Sequence, residues 1–173
     1  MALQRMPPDE RLRQVVLFLE EFEWQQAGRL LLEAYVGAER ASHLGVKRLV
    51  AVFRAVGFVS DKLHNLRPLD PLEVFRGTGA KGRWYALGWT TDEDVAEWYA
   101  RRSRQPGKVF SARVRREGVL AMSGVRWEAT VLVDPRHLYG RNLLRSLEEP
   151  GPPEQPIPGR IVALDDFRGK NRT

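Results

Sequence analysis

The sequence contains no cysteine, which excludes disulfides, thiolate nucleophiles and thiolate metal sites. Its three histidines, His43, His64 and His137, lie far apart without metal-ligand spacing, so no metal centre is expected. No apolar run approaches the ~20 residues that a membrane span needs. A signal-peptide pattern is also missing, because Pro7-Pro8-Asp9-Glu10 precede any apolar stretch. The expected location is therefore cytoplasmic. No internal repeat is present.

What the chain does contain is ordinary for a soluble globular protein: 173 residues, 43% hydrophobic and 29% charged, enough for a real core. The net charge of +6 favours an acidic partner, whether nucleic acid, an acidic protein surface or a phosphorylated small molecule. A basic, solvated surface would account for the same number.

The hydrophobic period changes near residue 70. Before it, Leu12, Val15, Val16, Leu19, Phe22 and Trp24 recur at three- and four-residue steps, as on one face of a helix. Leu30, Leu31, Ala34 and Tyr35 continue the spacing up to Gly37, with Gly28 as an interruption. Ser42 is a candidate N-cap for a helix carrying Leu49, Val52, Phe53 and Val56, with Gly57 at its C-terminal end. Residues 1–70 thus read as a helical region packed on the rest, or as a target-binding face. Arg67-Pro68-Leu69-Asp70-Pro71 breaks the pattern.

Residues 71–170 then read as a strand-rich core. Leu72 and Val74 alternate with Glu73 and Phe75 in a strand ending at Arg76. A second strand spans 87–91, and Thr91 or Asp92 caps a short helix with Val95, Trp98, Tyr99 and Arg102 on one face. In 109–115, Phe110, Ala112 and Val114 are expected to be buried, and Ser111, Arg113 and Arg115 wet. Strands at 118–121 and 128–135 follow, then a proline-rich surface loop at 149–158, a last short strand at 160–164 and a frayed tail.

Gly77-Thr78-Gly79-Ala80-Lys81-Gly82 has the form G-x-G-x-x-G. A dinucleotide-fold site needs a helix to start there, and Arg83-Trp84-Tyr85 reads instead as strand or loop. No Gly-Lys-Ser/Thr follows to make a phosphate loop. What remains is an arginine at a strand end beside a glycine turn. Its guanidinium offers a fixed fork of donors suited to a phosphate, and the glycine lets backbone approach a flat ligand. Arg101, Arg102, Arg104, Lys108, Arg113, Arg115 and Arg116 could hold nucleic acid if they share a face.

In motif order, and in the wording of residues 89–100, the stretch 72–138 resembles the core of mono-ADP-ribosyltransferases of the Arg, Ser-Thr-Ser, Glu type. The resemblance implies an α+β fold with a split, mostly antiparallel sheet and an N-terminal helical layer. It implies an enzyme that uses nicotinamide adenine dinucleotide as substrate and transfers ADP-ribose to a macromolecule, most readily a protein, as bacterial or phage effector toxins do. Arg76 would orient the dinucleotide and the Gly77 backbone would hold the carboxamide. Thr90 would support the ribose, with Trp89 beside it; Trp89 by its character is also a core aromatic. One of Trp98 and Tyr99 would stack on the nicotinamide, Tyr99 being assigned to the cofactor site.

Two positions depart from the family. Gly88 stands where the first serine of the signature would hydrogen-bond the catalytic glutamate. Thr130 stands where the second glutamate of Glu-x-Glu would be, leaving Glu128 as the acidic group for the ribose hydroxyl and the acceptor. Glu128 and Thr130 share a strand face by the two-residue period. The alternative expectation is a catalytically degenerate module that binds the dinucleotide, a protein or nucleic acid without turnover.

Overall fold

The computed structural model describes residues 5–21, 27–38, 41–61, 67–102, 106–124 and 129–147. The helical region forms α1 (Pro8–Glu21), α2 (Gly28–Gly37) and α3 (Val46–Val56), with a 3-10 turn at Ala41–Leu44. Acidic Asp9 and Glu10 lie in the first turn of α1, where they favour the positive end of the helix dipole. The apolar spacing is realised: Leu12, Val15, Val16, Leu31, Leu32, Leu49 and Phe53 are buried together. Phe22 and Trp24 lie outside the described residues.

Two helix boundaries differ from expectation. Gly28, expected as an interruption, is the first residue of α2; a Cβ there would sit 2.5 Å from Val59 Cγ2, so glycine lets the helix start close to the sheet. Gly45, rather than Ser42, is the N-cap of α3. Its φ of 83° takes the chain out of the 3-10 turn before α3 begins.

A seven-stranded sheet follows, in the order β1-β5-β6-β3-β2-β4-β7. Its strands are β1 (Val59–Ser60), β2 (Leu72–Thr78), β3 (Gly88–Thr90), β4 (Lys108–Val114), β5 (Val119–Ser123), β6 (Thr130–Val133) and β7 (Leu138–Ser146). All pairings are antiparallel except β1 with β5, so the sheet is mixed and the class is α+β. Helix α4 (Glu93–Arg101) is capped by Asp92, whose carboxylate accepts from the N–H groups of Asp94 and Val95.

Three apolar clusters hold these layers. The helices α1–α3 pack on Val59, Leu120, Ala121 and Leu132 of the sheet and on Leu87 just before β3. Leu72, Val74, Trp89, Ala112, Val114, Val131 and Val133 form a second cluster. Ala96 and Ala100 of α4 meet Val109 and Phe75 in a third. This last contact changes the expectation for β4: Ser111 and Val109 are buried as well as Ala112 and Val114, because α4 covers the face expected to be wet, and Phe110, expected to be buried, is only half-buried. Arg113 stays exposed.

Strands β1 and β7 were not expected. The first is two residues long. The second is an exposed edge strand containing Gly140 at φ 58° and Arg141, Asn142 and Arg145, so no apolar alternation marks it. The strand expected at 160–164 and the proline-rich loop lie outside the described residues.

A charge cluster ties α3 to the end of β6. The fully buried Asp134 carboxylate accepts from Arg54 Nη2 at 2.7 Å and from Arg136 Nη2 at 2.7 Å, and from the Arg136 backbone N–H at 3.1 Å. Burial by itself would raise the carboxyl pKa. The hydrogen bonds from Arg136 and Arg54 outweigh it and hold the group well below the usual carboxylate range. Among the described residues no helix is long and apolar enough to cross a membrane. No group of three or more histidine, aspartate or glutamate side chains there could hold a metal ion.

Candidate functional site

The sheet opens between β2 and β3. All seven residues of β2 pair with β4, and β3 pairs with β6 along its length. Between β2 and β3 only Phe75 and Thr90 are in register. Beyond that pair the strands diverge, and a cleft of about 270 Å³ occupies the gap. It is walled by α2 and α3 on one side and by Tyr99 of α4 on the other.

The cleft gathers Arg76, Gly77, Trp89, Thr90, Tyr99 and Thr130, residues drawn from four separate stretches of sequence. The Arg76 guanidinium reaches across the split: Nη1 donates to the Gly88 carbonyl and Nε to the Arg83 carbonyl at 3.3 Å. These contacts bridge the two halves of the sheet where their ladder has stopped. Burial lowers the Arg76 pKa, but an arginine remains a cation at any ordinary pH. No aspartate or glutamate is among the described residues that line the cleft. Among the described residues, the site is therefore a covered cation facing a cavity whose walls carry no carboxylate.

Gly77 is required for packing. A Cβ there would lie 1.7 Å from the Ala96 carbonyl oxygen, so the glycine lets α4 sit directly on β2 and bring Tyr99 to the cleft. Of the aromatic pair on α4, Tyr99 lines the cleft and Trp98 does not. The two rings meet edge to face at 5.0 Å, and Arg102 stacks over Trp98 at 4.7 Å. Trp89 is only 3% exposed and belongs mainly to the core, its Nε1 donating to the Ala86 carbonyl at 3.0 Å. The Thr90 hydroxyl accepts from the Asp92 N–H at 3.1 Å, which couples the end of β3 to the cap of α4.

Thr130 pairs with Thr90 across β6 and β3 and opens into the cleft. Glu128 lies outside the described residues. Just before Thr130, Ala129 adopts φ 39°, a left-handed backbone that non-glycine residues rarely take.

Sequence reasoning did not assign Tyr35 to the site. Its ring packs edge-on against Phe53 at 5.9 Å, and burial raises its pKa while the Arg76 charge opposes the rise. One signal was available: Tyr35 is the polar-tipped member of an otherwise apolar stripe with Leu31, Leu32 and Ala34. None of the described residues among Arg101, Arg102, Lys108, Arg113, Arg115 and Arg116 lines the cleft. Arg101 pairs with Glu97, while Arg113 and Arg115 lie at the far end of β4 from Lys108, roughly 20 Å away at strand rise.

Compared with protein-family models, with curated proteins and with solved structures, the chain matches none.

Proposed function

We propose that this chain binds nicotinamide adenine dinucleotide in the cleft between β2 and β3 and transfers its ADP-ribose to a macromolecular acceptor, most readily a protein. One observation carries the reading: the residues expected to hold the dinucleotide line a single cleft around an arginine with no acidic neighbour among the described residues of its walls. An uncompensated guanidinium selects an anion, and a phosphate matches its fork of donors. The cavity volume is near the lower end for small-molecule sites, so it suits the nicotinamide riboside end of the ligand, with the adenylate toward the open side.

In this reading Arg76 orients the dinucleotide and the Gly77 backbone approaches the nicotinamide. Tyr99 offers its ring to the same flat group, and Thr90 supports the ribose. Glu128 supplies the negative charge that stabilises the developing ribose cation as nicotinamide leaves, and it prepares the acceptor. The sheet split that opens the cleft fits the transferase type of core.

A second reading is favoured by Thr130. It opens into the cleft where the resemblance calls for a carboxylate, and a threonine cannot stabilise a cation by charge. On that reading the cleft binds the dinucleotide without turnover. Nicotinamide release, measured with and without cell lysate, separates the two. Turnover lost in both Arg76→Ala and Glu128→Ala supports the transferase. Absence of turnover, with calorimetric binding lost in Arg76→Ala and kept in Glu128→Ala, supports the binder. Absence of any dinucleotide binding contradicts both.

A further inference from the structure

We infer that Tyr35, from the helical layer, is a ligand-binding residue of the cleft: its phenol donates a hydrogen bond to a polar edge of the bound nicotinamide riboside. The inference rests on the dinucleotide reading of the cleft and adds to it a residue from outside the strand-rich core.

Three observations converge on the phenol. Tyr35 lines the cleft opposite the split strands. Its oxygen lies 3.4 Å from where a Cβ on Gly88 would be, and Arg76 Nη1 lies 3.8 Å from the same point. The absent side chain at Gly88 thus leaves a space bordered by one hydroxyl and one guanidinium. Finally, the hydroxyl has no hydrogen-bond partner among the described residues, although its ring is fixed against Phe53. A hydroxyl held in place at a cavity wall and unused by the protein is ready for a ligand oxygen. Because burial raises its pKa, the phenol keeps its proton at neutral pH and acts as donor. Arg76, already donating to two carbonyls, would contribute charge and Tyr35 direction.

The test is calorimetric titration of nicotinamide adenine dinucleotide into the full chain and into Tyr35→Phe, Gly88→Ser and the double variant. Tyr35→Phe keeps the ring against Phe53, so its melting temperature should match the parent while affinity falls about five- to tenfold. Gly88→Ser places a hydroxyl in the space facing the phenol. It should crowd the site when Tyr35 is present and restore part of the affinity in the Tyr35→Phe background. Unchanged affinity in Tyr35→Phe would overturn the inference and leave the dinucleotide reading standing. A loss that comes with a lower melting temperature and no rescue by Gly88→Ser would also overturn it, by assigning Tyr35 a packing role. No binding to the parent chain would overturn the inference and the dinucleotide reading together.

Discussion

Asp134 and Arg76 are both charged side chains drawn out of water, and their surroundings differ in one respect. Asp134 is buried and saturated: two guanidiniums and a backbone N–H converge on its carboxylate. Arg76 is held by two carbonyls, faces a cavity and, among the described residues, has no acidic side chain on the cleft wall. A buried charge whose partners all come from the protein stabilises the fold and has nothing left to offer a ligand. A covered charge whose counter-charge is missing is less stable alone and is completed by something that binds. The difference teaches that neutralisation, more than burial, separates a structural charge from a candidate binding charge in this molecule.

The largest expected effect is at the floor of the cleft. In Gly77→Ala the new Cβ would meet the Ala96 backbone oxygen at 1.7 Å, and backbone cannot swing aside as a flexible side chain can. We expect a loss of about 3 kcal/mol or more in denaturant unfolding, the top of the range for overpacking, with loss of ligand binding as α4 is displaced. If Gly77→Ala unfolds like the parent, the cleft is not built as described.

Next in size is Asp134→Asn. Breaking a buried pair costs about 3–5 kcal/mol when the orphaned partner stays buried. Here the side chains of Arg54 and Arg136 are 40% and 66% exposed, so they recover water, and about 2 kcal/mol is expected. The variant should still bind the dinucleotide. The folded pKa of Asp134 lies below its ordinary value of 3.8, so its stabilisation is complete above that pH and is lost as pH falls below it. Thermal unfolding against pH should show this acid limb in the parent and a flatter one in Asp134→Asn. Equal limbs would remove the contrast with Arg76.

The smallest effect is at Ala129. Its left-handed backbone costs on the order of 1 kcal/mol, which glycine would relieve at some expense in unfolded-chain entropy. Ala129→Gly should therefore raise stability by less than about 1 kcal/mol. A clear loss would mean that the methyl group packs in a way that outweighs the backbone cost.

Much of this was legible in the chain, for physical reasons. The helical stripe of Leu12, Val15 and Val16 and the β2 alternation of Leu72 and Val74 are single-period signals, and both are buried as their spacing implies. The cleft residues Arg76, Gly77, Thr90, Tyr99 and Thr130 could be named because motif order, not local propensity, singles them out. Strand β7 could not, since an edge strand exposed on both faces has no apolar period to read. Tyr35 was hidden because a tyrosine in an apolar helical stripe looks like core until the opposite wall is known. Ser111 was assigned to solvent because the sequence of β4 does not announce the helix that covers it.

The most direct test of the central claim is calorimetric titration of nicotinamide adenine dinucleotide into the parent chain, Arg76→Ala and Asp134→Asn, with melting temperatures recorded for each. The account predicts that Arg76→Ala loses about 2–3 kcal/mol of binding, the scale of a charge-assisted contact, with a smaller drop in melting temperature than Asp134→Asn, since two hydrogen bonds across the split are lost with it. Asp134→Asn should do the reverse, melting earlier and binding normally. Equal binding by the parent and Arg76→Ala would contradict the claim that the uncompensated guanidinium is what the ligand completes.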